Sequence, residues 1–111
     1  RNKKPKTKLK IIKIKKNIGW CDDVNSKKYN KLVRISKRYK YEKFFRNDFR
    51  YDYIIPILYN YKKVIKNKGS AIFIHLTNNY RKKTLGCIAL KKNDFLILLK
   101  IINKKTKIRI G

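Results

Sequence analysis

Residues that build covalent or metal-bound frameworks are scarce in this chain. It holds two cysteines and one histidine among 111 residues. Neither a disulfide framework nor a zinc site made of cysteine and histidine ligands is therefore expected. The six acidic residues are scattered, which argues against a calcium-binding loop. We expect neither a metal nor another cofactor.

Long apolar runs are also missing. No stretch of about 18 apolar residues occurs, so the sequence predicts no membrane span within this chain. The length suits one domain with a modest core, and no internal repeat divides it. We expect a single domain over residues 1–111 and a monomer.

Positive charge is abundant, with 33 lysines and arginines and a formal net charge of +27. A surface of this kind can bind nucleic acid, anionic lipid or an acidic polymer. Lysines occur in nearly every segment rather than in one stripe, and they greatly outnumber the arginines that base recognition favours. We expect no specific nucleic-acid partner. The joint abundance of Lys, Ile and Asn favours a general compositional bias.

Apolar patterning predicts a mainly β chain. Strands are predicted within residues 9–16, 51–61, 69–76, 86–90 and 106–110. Pro56 indicates a bulge or an edge position in the second of these. Alternation in the third places Ala71, Phe73 and His75 on one face of the strand.

The remaining segments predict a long loop and two short helices. Residues 17–30 are dense in Gly, Asp, Asn and Ser, which favours a loop. Residues 36–48 and 93–104 are predicted as helices, the second capped by Asn93 with Asp94 in its first turn.

One stretch, "TLGCIAL", raises the question of catalysis. A cysteine nucleophile needs a base or cation nearby and amide donors for the oxyanion. Gly86 allows close approach of a substrate to Cys87. His75 ends the preceding strand, and a hairpin of the two strands would bring imidazole and thiol together. Against this, cysteines outside disulfides are usually inert packing, a lone histidine is more often structural, and Cys21 is a rival nucleophile.

The run "GSAIFIHL" followed by "TLGCIAL" resembles the L,D-transpeptidase catalytic domain (YkuD-type). That family's signature is a histidine on a strand, a connection, and then Ser/Thr-x-Gly-Cys-Val/Ile. Cys87 follows His75 by twelve residues, which suits a short-connection branch. The blocks "GWCDD", "YNKLVR", "RNDFRYD" and "YNY" extend the resemblance over most of residues 18–110.

The resemblance implies a β-sandwich or barrel whose early strands would precede residue 1. The chain would then be the C-terminal, catalytic-motif portion of such a domain. The implied chemistry is acyl transfer on peptidoglycan stem peptides in the cell envelope. Cys87 would attack a stem-peptide carbonyl, His75 would be its base, and the amides of Gly86 and Cys87 would bind the oxyanion. The alternatives are an L,D-carboxypeptidase on the same scaffold, or a basic polyanion-binding module without catalysis.

Two departures from the family pattern bear on substrate binding. Many members carry a histidine and an arginine where this chain has Leu85 and Ala89. Arg34 is the candidate replacement for that arginine, although an exposed charge at a strand end explains it equally well. Thr84 and Asn60 are candidates for the pocket lining, and both residue types are also common in turns.

Two further roles stay open from the sequence. The partner that orients His75 is often a main-chain carbonyl in the family. The side-chain alternatives are Asp22, Asp23, Asp48 and Asp52. Trp20 is either a platform for substrate or, as is more usual for a lone tryptophan, part of the core.

Overall fold

Six short strands form two three-stranded sheets in the computed structural model, which describes residues 4–80 and 87–109. The strands are β1 Ile18–Cys21, β2 Leu32–Arg34, β3 Tyr41–Lys43, β4 Ile54–Pro56, β5 Phe73–Leu76 and β6 Ile88–Leu90. One helix, α1 Lys92–Ile101, follows the last strand. The predicted mainly β architecture is confirmed.

The first sheet has the order β2-β1-β3, and both pairings are antiparallel. Trp20 in the central strand lies opposite Leu32 on one side and Glu42 on the other. Gly19 allows the close approach of β3, since a Cβ atom there would lie 2.6 Å from the carbonyl oxygen of Glu42. A side chain at this position would push the two strands apart.

The second sheet has the order β4-β5-β6 and mixes the two kinds of pairing. β4 runs antiparallel to β5, with Ile54 opposite His75. β6 runs parallel to β5, with Ala89 opposite His75. Pro56 closes β4 at the edge of this sheet, as its missing amide proton predicts.

Each face of the second sheet packs against a different cluster. An aromatic cluster fills the space toward the first sheet; it consists of Trp20, Phe44, Tyr51 and Phe73. Edge-to-face ring contacts hold it, and the Phe73 ring lies 5.2 to 5.4 Å from the Phe44 and Trp20 rings. A helix-side cluster covers the other face; it consists of Ile74, Leu76, Phe95 and Leu99.

Helix α1 confirms the prediction of a C-terminal helix but corrects its start. Lys91 is the N-cap residue and its side chain makes no capping bond, so Asn93 lies inside the helix. The helix begins earlier than predicted because Lys91, with an extended backbone, is the single residue between β6 and α1. Asp94 does lie in the first turn, where its negative charge interacts favourably with the helix dipole.

Four other predicted segments are wrong in part or in full. Residues 9–16 form no strand, and β1 lies inside the predicted loop over residues 17–30. The helix predicted over 36–48 does not form, because its backbone pairs with β1 through β3. Residues 106–109 are exposed and extend no sheet, while Ile110 lies outside the described residues. Among the described residues, no helix has the length and apolar character needed to cross a bilayer.

Candidate active site

A cleft of about 630 Å³ opens between the two sheets and holds both candidate catalytic side chains. Its lining includes Glu42, Asp48, Arg50, Tyr51, His75 and Cys87. Glu42 comes from the first sheet, and His75 from the centre of the second. Asp48, Arg50 and Tyr51 come from the connection between β3 and β4.

Parallel pairing, rather than the predicted hairpin, brings His75 and Cys87 together. Since Ala89 lies opposite His75, extending the register by two residues places Cys87 opposite Phe73. Phe73, His75 and Cys87 therefore share one face of the sheet. His75 and Cys87 are diagonal neighbours on that face, and both line the same cleft. The predicted hairpin is wrong, because β6 pairs with β5 in the parallel direction.

The Cys87 thiol is partly buried beside the start of β5. Its Sγ donates a hydrogen bond to the carbonyl oxygen of Ala71 at 3.4 Å. Burial raises the pKa of the thiol, and the charge of Glu42 raises it further. A hydrogen bond from the Phe73 backbone and the charge of Arg50 act in the opposite direction. The raised pKa favours the protonated thiol at neutral pH.

Ala71 adopts a backbone conformation that alanine rarely adopts. Its φ is 56°, in the left-handed region that costs a side-chain-bearing residue about 1–2 kcal/mol. Asn30 holds it there, since the Asn30 amide oxygen accepts from the Ala71 backbone N–H at 3.3 Å. Asn30 is only 2% exposed, and its NH₂ group donates to the carbonyl oxygens of Tyr59 and Asn60. This network fixes the carbonyl that contacts Cys87.

His75 is 6% exposed and has a defined partner for one ring nitrogen. Its Nδ1 lies 2.9 Å from the backbone carbonyl oxygen of Leu76. With a proton on Nδ1 donated to this carbonyl, Nε2 is left unprotonated and able to accept a proton. Of the alternatives left open by the sequence, the main-chain carbonyl is the one found in this contact.

Tyr51 and Glu42 are cleft residues that the sequence reasoning missed. The Tyr51 ring meets the His75 ring edge-on, with centroids 5.8 Å apart and an interplanar angle of 77°. The Tyr51 hydroxyl donates to Oε1 of Glu42 at 2.5 Å. Burial, followed by the Glu42 hydrogen bond, raises the pKa of Tyr51. The block "RNDFRYD", which carries part of the family resemblance, contains Tyr51, whereas no block of the resemblance contains Glu42.

Acidic groups dominate the charge of the cleft. Three of the six acidic residues of this strongly basic chain line it: Asp22, Glu42 and Asp48. Asp48 is paired with Arg46 through N–O contacts of 2.8 to 3.3 Å. That pairing lowers the pKa of Asp48 to about 2. Among the described lining residues, Arg50 is the one cation.

The rival nucleophile Cys21 and the candidate substrate platform Trp20 both lie in the core. Cys21 is fully buried at the end of β1, and no disulfide joins it to Cys87. Trp20 is 3% exposed and donates its indole N–H to the Asn30 side chain at 2.8 Å. Burial closes both side chains to a substrate, which leaves Cys87 as the accessible thiol.

The other predicted site residues are placed elsewhere. Arg34 is exposed at the end of β2 and does not line the cleft. Asn60 shapes its own turn, since its side chain binds the backbone of Ile65 and Gly69. Thr84 and Gly86 lie outside the described residues. Over residues 4–80 and 87–109, no group of three or more metal-binding side chains is found.

Comparison with known families is consistent with this geometry. The family model of the L,D-transpeptidase catalytic domain (YkuD) matches residues 2–110. The chain belongs to this family. The predicted membership is thus confirmed, and the family acts on cell-wall peptidoglycan. No curated protein and no solved structure gives a significant match.

Proposed function

We propose that this L,D-transpeptidase-family domain is a cysteine acyltransferase that acts on peptidoglycan stem peptides. The observation that carries the proposal is the placement of Cys87 and His75 on one face of two paired strands, in one cleft. The other cysteine is fully buried. The family's substrate makes the cell envelope the proposed place of action.

In the first half of the reaction, His75 Nε2 takes the proton of the Cys87 thiol as the sulfur attacks the carbonyl carbon. A carbon–sulfur bond forms, and the carbonyl electrons move onto oxygen. The amides of Gly86 and Cys87 are the proposed donors to that oxyanion. When the carbon–nitrogen bond breaks, the imidazolium returns its proton to the departing D-amino acid.

In the second half, an acceptor attacks the thioester. An amine of a neighbouring stem gives a cross-link, and water gives a shortened stem. His75 accepts the proton of the attacking group and returns one to the leaving sulfur. Transpeptidation and carboxypeptidation therefore use the same residues and differ only in the acceptor.

Arg50 is the proposed partner of the donor peptide's terminal carboxylate. It occupies the cleft that Arg34 does not reach, and it supplies the cation that Ala89 cannot. A guanidinium binds a carboxylate through two parallel hydrogen bonds. An Arg50→Gln variant should therefore raise KM for the stem peptide more than it lowers kcat.

A muropeptide assay tests the proposal. The protein is incubated with purified disaccharide-tetrapeptide, and the products are separated and weighed by mass spectrometry. Cross-linked dimers support transpeptidation, and tripeptide monomers support the carboxypeptidase alternative. Cys87→Ala is the matched control and should give neither product.

The third candidate is a basic module that binds polyanions without catalysis, and the net charge of +27 is the observation that favours it. It predicts no turnover of muropeptides. It also predicts binding to an acidic polymer that falls steeply as salt rises, because binding releases counterions. Turnover that depends on Cys87 would exclude it as the sole function.

A further inference from the structure

Glu42 and Tyr51 form a hydrogen-bonded pair in the cleft, and the Tyr51 ring contacts the ring of His75. The Tyr51 hydroxyl binds Glu42 at 2.5 Å, and the Tyr51 ring packs edge-on against His75 at 5.8 Å. Glu42 belongs to the first sheet and His75 to the second. The tyrosine therefore links a carboxylate on one sheet to the imidazole on the other.

The Tyr51 ring is held on several sides. It meets the Phe44 and Phe73 rings at 5.6 and 6.2 Å, both edge-on, and the Arg46 guanidinium lies 5.4 Å from its centre. It is 6% exposed. Because the Tyr51 ring is confined, it restricts the plane of the His75 imidazole beside it. The Leu76 carbonyl restricts the rotation of the same imidazole.

Charged or titratable groups from several segments line the cleft that holds the thiol and the imidazole. They are Asp22 after β1, Glu42 on β3, and Asp48, Arg50 and Tyr51 before β4. Asp48 is neutralised by Arg46. Burial is the main influence on the Cys87 thiol, and among these charges Glu42 opposes its ionisation while Arg50 favours it.

We propose that Glu42 and Tyr51 are positioning residues for the Cys87–His75 pair. Tyr51 fixes the plane of the imidazole. Glu42 supplies a negative charge that disfavours a thiolate in the resting enzyme and favours the imidazolium formed during attack. The inference rests on the proposed cysteine chemistry, and it makes His75 a base that acts during attack rather than a permanent ion-pair partner.

Opposite effects on two measurements would identify this role. Removal of the Glu42 charge should make the thiol easier to ionise, so alkylation of Cys87 should speed up. The same change should slow acyl transfer, because the imidazolium loses its stabilising charge. A side chain with a purely structural role would slow acyl transfer without lowering the pH at which Cys87 becomes reactive.

The test uses Glu42→Gln, which keeps an oxygen acceptor for the Tyr51 hydroxyl but removes the charge. The rate of alkylation by iodoacetamide is measured against pH on the full chain, with peptide mass mapping at Cys87. Below the midpoint the rate should rise, because a larger fraction of Cys87 is then ionised at each pH. Muropeptide turnover should fall in the same variant.

Asp94→Asn is the matched control. Asp94 also accepts a tyrosine hydroxyl, from Tyr80, but it lies on α1, beyond the other face of the sheet. This variant should leave the alkylation midpoint unchanged. If Glu42→Gln does not fold, Glu42→Ala serves instead, since it also removes the carboxylate charge and should shift the midpoint in the same direction.

An alkylation midpoint that stays unchanged or rises in Glu42→Gln would overturn the inference, whatever happens to turnover. An equal shift in Asp94→Asn would also overturn it, because the effect would then be one of net charge. Absence of turnover in the unaltered protein would instead defeat the proposed function. The alkylation profile needs no substrate and would still report on the pair.

Discussion

The two faces of the second sheet differ, since one is an apolar packing surface and the other bears the candidate catalytic side chains. The face toward α1 carries Ile74 and Leu76, which pack against Phe95 and Leu99 in an apolar cluster. The face toward the first sheet carries Phe73 and His75, and it opens into the acid-lined cleft. Alternate residues of β5 therefore face either the apolar cluster or the cleft.

The difference is visible in polar partners. On the cleft face, the thiol, the imidazole and the Tyr51 phenol each contact a named polar group. On the helix face, α1 contributes Phe95 and Leu99, which are 1% and 5% exposed and interact through apolar contact alone. We therefore expect substitutions on the cleft face to reduce rate, and substitutions on the helix face to reduce the free energy of unfolding.

The largest effect is expected at His75. His75→Gln should lower muropeptide turnover by about 10²–10⁴, because the chain has no second imidazole to act as base. Steady-state kinetics measures the loss of turnover. A urea unfolding curve should show only a small change in the free energy of unfolding. Near-normal turnover would mean that the thiolate forms without His75 and would remove the chemical role assigned to the cleft face.

Phe95 provides the corresponding test on the helix face. Phe95→Ala should cost about 3–5 kcal/mol in unfolding free energy, from lost burial and the cavity left behind. Urea denaturation measures it, and Phe95→Leu, at about 1–2 kcal/mol, keeps the measurement possible if the alanine variant does not fold.

Ile97 on the same helix is the matched control, because it is 58% exposed. Ile97→Ala should change stability by less than about 0.5 kcal/mol. Folded Phe95→Leu should keep a turnover close to that of the unaltered protein. A loss of turnover in Phe95→Leu as large as in His75→Gln would show that the two faces are not separable.

The sequence led to the candidate catalytic pair but not to the strand pairing that places both residues in one cleft. Cys87 and His75 stand out because each is rare in the chain and the spacing matches a family signature. Parallel pairing of β5 and β6 is set by contacts remote in sequence, so local pattern could not reveal it. Tyr51 falls both in a predicted strand and in the block "RNDFRYD", and nothing in the neighbouring sequence shows that it meets Glu42 and His75.

The first sheet escaped prediction for a related reason. β1 has four residues, with Gly19 inside and polar residues on either side, which locally favours a loop. It forms because Trp20 and Cys21 are buried and both neighbouring strands pair with it. The aromatic spacing in residues 36–48 suggested a helix, but Phe44 is required in the aromatic cluster beside the end of β3. Tertiary packing overrode the local preference.

A smaller effect is expected from the ion pair at the rim of the cleft. The hydrogen bond from Arg46 lowers the folded-state pKa of Asp48 from 3.8 to about 2. The contribution of the Arg46–Asp48 pair to stability is therefore fully present above the pKa of Asp48 in the unfolded chain. It is lost as pH falls toward the folded-state value of about 2. Both side chains are partly exposed, so the gain is at most about 1 kcal/mol.

Asp48→Asn should accordingly lower the unfolding free energy slightly at neutral pH. The difference from the unaltered protein should shrink as pH falls below about 4, and it should weaken in high salt. Urea curves at several pH values measure it. A difference that grows as pH falls would contradict the assigned sign.

Acylation by a carbapenem tests the central claim most directly, because it requires a reactive thiol and donors for the oxyanion without requiring the natural substrate. The family resemblance implies that such a strained acyl donor should react with Cys87. Intact mass should rise by one drug equivalent, and peptide mapping should place the adduct on Cys87 in both the unaltered protein and Cys21→Ala. Cys87→Ala should gain no mass. An adduct on Cys21, or no adduct on the unaltered protein, would contradict the account.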